Sequence, residues 1–581
     1  MLRVPRSAFT GVGGFTLLLF LSGVPFLQPA AEGQSADVDP SAPPGKPRTG
    51  ADILDKSIAI YVGRELTDDG AVFLGGFGHE PSSHWLEVTP SRTFPEGTQL
   101  EVGVTAEARY PGERIRIPQV GETARFITSN YSEFAGFPAP LTNGGLNEHH
   151  VAARAVWSPS RTELVAMTPE PQRGISYSDL ARAVMERATS ARHAVEVAGE
   201  LIDEFGYAHY GGGSHLFADS EEGWVLLTFA GGQGLWAAER LGPEDVRVLY
   251  PGYIRDFPLD FESRPGYVAS ANLLDFAVEH SWFDPDSGAP FNLQEVYGTP
   301  FPGPPGADEE APYRHPPSLE GEIREMAPVT LPDMLSLVRD PRWSDDRAGY
   351  GHVAHLRGGV PSDLGVLWVS VAAAVSTPMV PIALGTRDVP PEYKQHRYLT
   401  RDASSTFLNP EFASLEGTRS AYRTFKRLFH HTCSDPERFL RPVTAELEGA
   451  EARWADQMRE LESRAASSLA EGDLEEAGRV LTERADAWLL EALDLGERLV
   501  QVVEERVREE SSLQMPDRPV PEGASWQPES GAMSLPPEAV GPRDRQNCYV
   551  PGFERYPRAH GVYRDRIGDL IEPTSSAPER E

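Results

Sequence analysis

Residues 57–80 read SIAIYVGRELTDDGAVFLGGFGHE, and this stretch decides how the following chain is expected to fold. Ser57 opens an apolar segment at residues 57–62, and a second apolar segment follows at residues 71–74. The polar residues between them end at Asp69-Gly70, a pair that is typical of the turn in a β-hairpin. The sequence therefore predicts a hairpin of two buried strands with a serine at its entrance.

Ser57 has two interpretations. Serine, threonine and cysteine are the residue types whose side chains become nucleophiles when a neighbouring base removes their proton. If the chain is cut before Ser57, the freed α-amine of the same residue lies beside the hydroxyl and serves as that base. The alternative is a serine that only begins a buried strand, which is the commoner situation for a hairpin considered alone.

The composition describes an acidic, globular protein. The chain has 581 residues, of which 40% are hydrophobic, and its length fits about two to four domains. A formal net charge of −34 argues against nucleic acid and anionic membrane surfaces as partners, because both require basic patches. The two cysteines, Cys433 and Cys548, would form one disulfide bond at most.

The N-terminus has the order of features found in signal peptides. Arg3 and Arg6 precede an interrupted apolar run at residues 15–27, and the small residues Ala30-Ala31 follow it. A charged start, a short apolar region and small residues at a cleavage site predict a signal peptide over residues 1–31. The expected location is therefore periplasmic or extracellular, and retention of the segment as a membrane anchor is the alternative.

Composition divides the remaining chain into segments. Low-complexity stretches rich in Pro, Gly and Ser are expected to be linkers or surface loops. The predicted segments are a linker or propeptide at 32–56, a main domain at 57–440 with a Pro-rich insertion at 299–318, a helical region at 441–510 that packs on the main domain, and a Pro/Gly-rich tail at 511–581.

Short strands dominate the first part of the main domain. Turn signals bound the predicted strands Trp85–Val88, Leu100–Ala106 and Phe126–Ser129. A turn at Gly144-Gly145 is expected to lead into a buried strand at Val151–Val156.

Helices follow at residues 177–205. Their apolar periodicity predicts two amphipathic helices with Ser178 and Ser190 as N-caps, and the second helix is expected to stop at Gly206. Further antiparallel strands come after them, which predicts a layered α+β sandwich. Between Pro442 and Glu510 the spacing of apolar residues predicts two or three antiparallel helices with a break near residues 471–473.

Several stretches, taken in order over residues 57–505, resemble the family A dipeptidases, relatives of secernin within the cysteine-type N-terminal nucleophile (Ntn) hydrolases. The hairpin resembles the opening of that family, and Asn147-Glu148 in LNEHHVAARAV matches an Asn-Glu pair that enters a strand. The other matching stretches are HWLEVTPSRTFPEG, SARHAVEVAGELIDEFGY, FADSEEGWVLLTF and YGHVAHLRGGVPSDLGVLWVSVAAAVSTPMVPI.

The resemblance implies an α+β fold with a four-layer αββα Ntn-hydrolase sandwich, to which this chain adds a C-terminal helical region. It also implies hydrolysis of a peptide or other amide bond through an acyl-enzyme on residue 57, with no metal and no cofactor.

The chain departs from the family pattern at several positions. Ser57 replaces the family's Cys, and a hydroxyl depends more strongly on its base than a thiol does. Gly76 and His79 stand where relatives have an Arg or aromatic residue and an Asp near the free amine, and Glu80 is adjacent. Tyr250 stands where an Asn would help to stabilise the oxyanion.

Other motifs give weaker indications of a functional site. His430, His431 and Cys433 are spaced too closely to share one tetrahedral metal ion readily. Residues 211–213 and 231–234 are glycine-rich but lack the Lys-Ser/Thr and the strand-to-helix context of a phosphate loop. His149-His150 is expected to have a structural or surface role.

These observations favour an exported, serine-type peptidase or amidohydrolase that resembles dipeptidases and acts on a small peptide or amide substrate. In this hypothesis Ser57 is the nucleophile, His79 or Glu80 orients its amine, and Asn147 or Tyr250 lies near the substrate or the oxyanion. An acylase that cleaves a non-peptide amide is a weaker variant. The alternative from another class is a catalytically inactive relative that keeps the fold and acts as a binding or structural protein.

Overall fold

The computed structural model describes residues 57–510 apart from 79, 81–82, 107, 109, 133–136, 250–252, 255, 299–315, 342–348 and 395–418, together with two short strands beyond them. The described chain is a mixed structure of helices and mostly antiparallel strands. The strands are β1 (Ile58–Val62), β2 (Val72–Phe77), β3 (His84–Thr89), β4 (Arg92–Thr93), β5 (Gln99–Val102), β6 (Ile115–Pro118), β7 (Glu122–Thr123), β8 (Phe126–Tyr131), β9 (Leu141–Asn147), β10 (Ala152–Trp157), β11 (Ile175–Ser176), β12 (Tyr207–Ala208), β13 (Gly213–Ala218), β14 (Gly223–Thr228), β15 (Trp236–Leu241), β16 (Val246–Leu249), β17 (Asp256–Phe257), β18 (Tyr267–Ala269), β19 (Phe291–Asn292), β20 (Gly351–Leu356), β21 (Val366–Ser370), β22 (Val380–Ala383), β23 (Ser525–Gln527) and β24 (Ala532–Ser534).

The helices fall into two groups, short ones among the strands and long ones near the end of the described chain. The α-helices are α1 (Thr162–Val165), α2 (Tyr177–Arg187), α3 (Ala191–Phe205), α4 (Leu273–Glu279), α5 (Leu293–Tyr297), α6 (Pro316–Glu325), α7 (Leu331–Val338), α8 (Pro391–Lys394), α9 (Ala421–Thr432), α10 (Pro436–Ala470) and α11 (Leu474–Glu510). None of these described helices is both long enough and apolar enough to cross a membrane.

The predicted hairpin is present. Strands β1 and β2 pair antiparallel, with Ile58 opposite Phe77 and Val62 opposite Phe73, and every residue of both strands is buried. Their connection is longer than a two-residue turn, because a 3-10 helix at Arg64–Leu66 follows β1. Gly70 then adopts a φ of 74°, a conformation that glycine reaches without steric cost.

Two large sheets form the body of the protein. The six-stranded sheet has the order β16-β1-β2-β20-β21-β22, so the hairpin lies in its interior. The eight-stranded sheet has the order β18-β15-β14-β13-β10-β9-β8-β3.

The six-stranded sheet lies between the eight-stranded sheet and a helix. A side-chain carbon placed on Gly223 of β14 would meet the ring of Tyr61 in β1 at 2.6 Å, so Tyr61 faces the eight-stranded sheet. The same carbon on Gly75 of β2 would meet Met334 of α7 at 2.8 Å. Tyr61 is opposite Leu74, the neighbour of Gly75, and neighbouring residues of a strand point to opposite faces.

Helices α2 and α3 cover the outer face of the eight-stranded sheet. Gly199 of α3 lies so close to Trp236 of β15 that a Cβ atom there would be 2.6 Å from the indole. Ser190 caps α3 and Gly206 ends it, as the sequence predicts. The predicted cap Ser178 is wrong: Ser176 caps α2 and forms a capping box with Asp179, and Ser178 is buried inside the helix.

The strand predictions hold in position, with two changes of detail. The strand predicted at Leu100–Ala106 is shorter and ends at Val102. The turn predicted at Gly144-Gly145 is wrong, since both glycines lie inside β9. Gly144 has a φ of 120°, and a Cβ atom on it would be 2.2 Å from the carbonyl oxygen of Ala153, so the two glycines permit close strand contact instead of a turn.

The long helices α10 and α11 pack against each other and against β22. The predicted break near residues 471–473 is confirmed. The predicted start at Pro442 is wrong, because α10 begins at Pro436 and includes Pro442 in its second turn. The buried neighbours Leu440 and Val443 hold this turn against the core, so packing outweighs the lost backbone hydrogen bond. The domain boundary predicted between residues 440 and 441 thus falls inside a helix.

A buried ion pair joins these helices to the rest of the fold. The guanidinium of Arg339, just after α7, donates two hydrogen bonds to the carboxylate of Glu451 in α10. Glu451 also accepts from the backbone amide of Met379, before β22, at 2.7 Å. Both charged side chains are almost fully buried, so neither can find a substitute partner in water.

We predict that Glu451→Gln lowers the free energy of unfolding by about 3–5 kcal/mol, because it removes the buried counter-charge of Arg339 and leaves the more exposed Glu448, 3.8 Å away, as the remaining carboxylate partner. Equilibrium urea unfolding of the full chain measures this change. Asp456→Asn is the matched control, since it removes one partner of the exposed Arg459–Asp456 pair and should change the unfolding free energy by less than about 1 kcal/mol. Equal losses of unfolding free energy in the two variants would contradict the stabilising role of the buried Arg339–Glu451 pair.

Candidate functional site

The hairpin places Ser57 in a protected position directly before β1. Ser57 is 6% exposed. Gly76 in β2 lies opposite Ala59, and a Cβ atom on Gly76 would be 2.0 Å from the carbonyl oxygen of Ile58. The absence of a side chain at Gly76 therefore lets β2 approach the backbone that follows Ser57.

A cavity lies beside Ser57. Its walls combine Ser57 and Glu80 with side chains of β8, β9, β10, β13 and α2. The cavity is lined by Ser57, Glu80, Tyr131, Asn143, Ala155, Val156, Trp157, Tyr177, Tyr210, Gly212, Gly213 and His215.

Glu80 brings a buried carboxylate to this cavity. Asn143 of β9 donates a hydrogen bond from Nδ2 to Oε1 of Glu80. His84 Nε2 lies 3.8 Å from the other carboxylate oxygen, Oε2. Cβ atoms placed on Gly78 or Gly349 would lie 1.7 and 2.5 Å from carboxylate oxygens of Glu80, so only glycine leaves room for the carboxylate at those positions.

Asn143 connects Glu80 to a group of buried tyrosines. Tyr131 donates from its hydroxyl to Oδ1 of Asn143 at 3.2 Å, and its hydroxyl also pairs with that of Tyr177. The backbone amide of Asn143 donates to the hydroxyl of Tyr350 at 3.2 Å. Burial, together with the charge of Glu80, holds the pKa of Tyr131 and of Tyr177 well above the ordinary value, so both phenols stay protonated.

Aromatic rings form a second wall of the cavity. Tyr210 stacks on Trp157 with ring centroids 6.3 Å apart and planes inclined by 17°. Tyr177 and Phe137 each meet Tyr210 at 5.3 Å in edge-to-face contacts. Such pairs fix the ring orientations and give the wall a largely apolar surface.

His215 of β13 adds an imidazole to the same wall. It is almost completely buried, and burial lowers the pKa of His215 to about 4. The ring is therefore neutral at physiological pH, because desolvation disfavours the imidazolium form. A neutral imidazole can donate or accept a hydrogen bond but brings no charge to the cavity.

The sequence-predicted site residues divide into three groups. Ser57 and Glu80 line the same cavity. His79 and Tyr250 lie outside the described residues. Asn147 is a correction, because both ends of its amide are occupied by backbone: Nδ2 donates to the carbonyls of Met185 and Ala188, and Oδ1 accepts from the amides of His149 and Val151. Asn147 thus holds the β9–β10 connection to the end of α2 and does not line the cavity.

Sequence patterns do not identify Asn143, Tyr177, Trp157 and His215 as site residues. Asn143 precedes two glycines whose pattern predicts a turn, so the sequence does not indicate that Asn143 lies in a central strand. The others lie in elements whose patterns indicate only a strand or a helix. Within the described part of the chain, no group of three or more His, Cys, Asp or Glu side chains is arranged to hold a metal ion.

Comparison with known proteins finds a family model that matches part of this chain. Residues 128–303 match the model described as Peptidase family C69. This matched segment includes Asn143, Trp157 and His215 of the cavity wall.

Curated relatives with similar sequences are named dipeptidases. A probable dipeptidase B of Lactococcus lactis subsp. lactis (strain IL1403) is 25% identical over 289 residues, which cover 43% of this chain and 60% of that protein. A probable dipeptidase of Latilactobacillus sakei is 22% identical over 247 residues, with 42% and 49% covered. The chain thus matches 60% of the length of the first relative and 49% of the length of the second.

Among solved structures, a mutant and a variant of the conjugated bile acid hydrolase from Clostridium perfringens are similar. The mutant covers 56% of this chain and 92% of its own, with a TM-score of 0.25 and 11% sequence identity. The variant covers 60% of this chain and 100% of its own, with a TM-score of 0.27 and 11% identity.

We predict that Asn143→Asp makes the stability of the fold depend more steeply on pH. The introduced carboxyl would lie beside Glu80 in a buried place, so its pKa in the folded state is raised above the unfolded value of about 4. The folded state then holds a proton that the unfolded state releases, and the unfolding free energy falls as pH rises through the folded-state pKa. Urea unfolding at pH 5 and pH 8 should show the larger loss at pH 8.

Asn143→Ala is the control for this prediction. It removes the donor to Glu80 without adding a charge and should cost about 1–3 kcal/mol at both pH values. If the Asp and Ala variants have parallel pH profiles, the contact between Asn143 and the Glu80 carboxylate is not as described.

Proposed function

We propose that this protein is an exported peptidase or amidohydrolase that cleaves an amide bond of a small peptide through an acyl-enzyme on Ser57. The match to Peptidase family C69 and the dipeptidase names of the relatives support a hydrolase. The observation that carries the proposal is that Ser57 and the buried carboxylate of Glu80 line one cavity.

The proposed fold assignment is the four-layer αββα sandwich of the Ntn hydrolases. Helices α2 and α3, the eight-stranded sheet, the six-stranded sheet and α7 follow one another in that order. The residue at the entrance of β1 is the one whose α-amine becomes free in such a fold, and the C-terminal helices are an addition to it.

The proposed mechanism begins with removal of the chain before Ser57. The freed α-amine takes the proton of the Ser57 hydroxyl while Oγ attacks the carbonyl carbon of the substrate amide. The amine then returns the proton to the leaving nitrogen, the amide bond breaks, and an ester on Ser57 remains. Water attacks that ester with the same amine as base, which releases the acid and restores Ser57.

Glu80 is proposed to hold the α-amine. Its Oε2 has no hydrogen-bond partner among the described residues and is therefore available to accept one from an ammonium or amine group. Asn143 occupies the other oxygen and fixes the carboxylate in place. His79 stays a proposed alternative for this role, and Tyr250 stays a proposed group near the oxyanion.

We propose export because of the signal-peptide pattern at residues 1–31 and because Cys433 is disulfide-bonded. Disulfide bonds persist in oxidising compartments and are rare in the cytosol. Intact protein from the native host, alkylated without reduction, should carry no label on Cys433. Labelling of Cys433 in protein from the periplasmic or extracellular fraction, or absence of the protein from both fractions, would contradict export.

We predict that the active form begins at Ser57 and hydrolyses dipeptides, and that Ser57→Ala lowers kcat by about 10⁴-fold or more because the nucleophile is lost. Intact mass and N-terminal sequencing of the protein from its own host identify the start of the chain. Release of free amino acids from a dipeptide panel measures turnover. Ser57→Thr is the matched control, since it retains a hydroxyl at the same position and should retain part of the activity.

A folded protein that keeps the residues before Ser57 and hydrolyses none of the panel would contradict the mechanism. A non-catalytic relative that only binds a ligand in this cavity would then be the better account.

A further inference from the structure

Besides Glu80 Oε2, two polar atoms of the residues that line the cavity have no hydrogen-bond partner in the described structure. They are Nε1 of Trp157 and Nε2 of His215, and both are buried from solvent. A buried donor without an acceptor destabilises the fold. The proposed mechanism uses neither atom, so both need a separate explanation.

Strand register brings the two side chains to one face. Ala155 lies opposite His215 and Trp157 lies opposite Gly213 in the antiparallel pair of β10 and β13. Alternate residues of one strand point to the same face, so Trp157 and His215 are diagonal neighbours there. Diagonal positions of this kind are about 7–8 Å apart, a distance that two large side chains can bridge through one bound atom.

The missing partner of Trp157 contrasts with other buried indoles in the protein. Four tryptophans donate from Nε1 to a side-chain oxygen at 2.7–3.1 Å. They are Trp224 to Glu222, Trp236 to Asp203, Trp454 to Glu491 and Trp488 to Gln457. Trp157 is placed differently, because its Nε1 belongs to a cavity wall and not to a contact between elements.

The Trp157 ring is held rigidly in this position. One face stacks on Tyr210, and a Cβ atom on Gly211 would lie 3.1 Å from Nε1. Because Gly211 has no side chain, the indole N–H is not blocked by the neighbouring loop. A rigid donor that no neighbouring group satisfies is suited to a ligand atom.

The chemistry of the wall limits what that ligand atom is. An indole N–H only donates, and a neutral imidazole donates or accepts according to its tautomer. The charged side chain that lines the cavity is Glu80, which would repel an anionic group. A neutral carbonyl oxygen is therefore a better partner for the wall than a carboxylate.

We propose that Trp157 and His215 form a subsite that binds a neutral carbonyl oxygen of the substrate, with the indole N–H as donor. The aromatic wall of Tyr177 and Tyr210 beside it would contact an apolar or aromatic side chain of the same substrate. This inference rests on the proposed function for the identity of the substrate as a peptide, but binding tests it without turnover.

The experiment measures binding in a Ser57→Ala background by isothermal titration calorimetry. The probes are the dipeptide phenylalanyl-leucine and its (E)-alkene isostere, which has the same shape but no carbonyl oxygen at the central bond. We expect the dipeptide to bind about three- to tenfold more tightly than the isostere, as one hydrogen bond would give. Adding Trp157→Phe should remove this difference, because the ring is kept and the donor is lost.

Trp224→Phe in the same background is the matched control. It removes an indole N–H that donates to Glu222 outside the cavity, so the difference between the two probes should persist. His215→Phe is the second variant and should reduce the affinity difference between the two probes. This variant keeps the proposal testable if Trp157→Phe does not fold.

Two results would overturn the subsite. One is an unchanged affinity difference in folded Trp157→Phe and folded His215→Phe. The other is no dipeptide binding by folded Ser57→Ala.

Turnover separates this inference from the proposed function. If the parent chain hydrolyses no peptide but the probe difference depends on Trp157, the proposed function fails and the subsite stands. If the parent is active, Trp157→Phe should lower kcat/KM for the dipeptide about three- to tenfold, because the single amide carbonyl of this substrate is also the one that Ser57 attacks. An unchanged kcat/KM in an active, folded Trp157→Phe would overturn the subsite.

Discussion

The site depends on the burial of one carboxylate. Removing a charge from water is costly unless hydrogen bonds and nearby charges compensate for it. For Glu80 the compensation comes from Asn143, from the nearby His84 ring and from two glycines that leave the necessary room. Gly78 and His84 are close to Glu80 along the chain, but Asn143 and Gly349 are distant, so the carboxylate reaches this environment only when those distant segments have packed around it.

A buried cation lies on the other side of the same group. Arg154 of β10 is fully buried, with its guanidinium carbon 4.4 Å from the ring centroid of Tyr350. Burial raises the pKa of Tyr350, the charge of Arg154 lowers it and the charge of Glu80 raises it, so both charges act on one ring.

Sequence patterns predict the parts of the fold that depend on neighbouring residues. The hairpin, the Ser190 cap, the stop at Gly206 and the break near residues 471–473 all follow from local turn and cap chemistry. The turn predicted at the glycines before Asn147 is wrong, because the same residue type permits a turn or a close approach of two strands, and only the partner strand decides between them. Asn143 is not predicted as a site residue for a related reason. Its partner Glu80 is 63 positions away in the sequence, and local sequence patterns do not indicate so distant a contact.

Unpartnered polar atoms collect at this cavity. Most buried polar groups of a folded protein have a hydrogen-bond partner, so three exceptions among the residues that line one cavity call for an explanation. They are Glu80 Oε2, Trp157 Nε1 and His215 Nε2, one acceptor, one donor and one atom of either kind. In the proposed site the α-amine of Ser57 would donate to Glu80, and a carbonyl oxygen of the substrate would accept from the indole. The same buried groups that cost the fold stability would then give the site its capacity to bind.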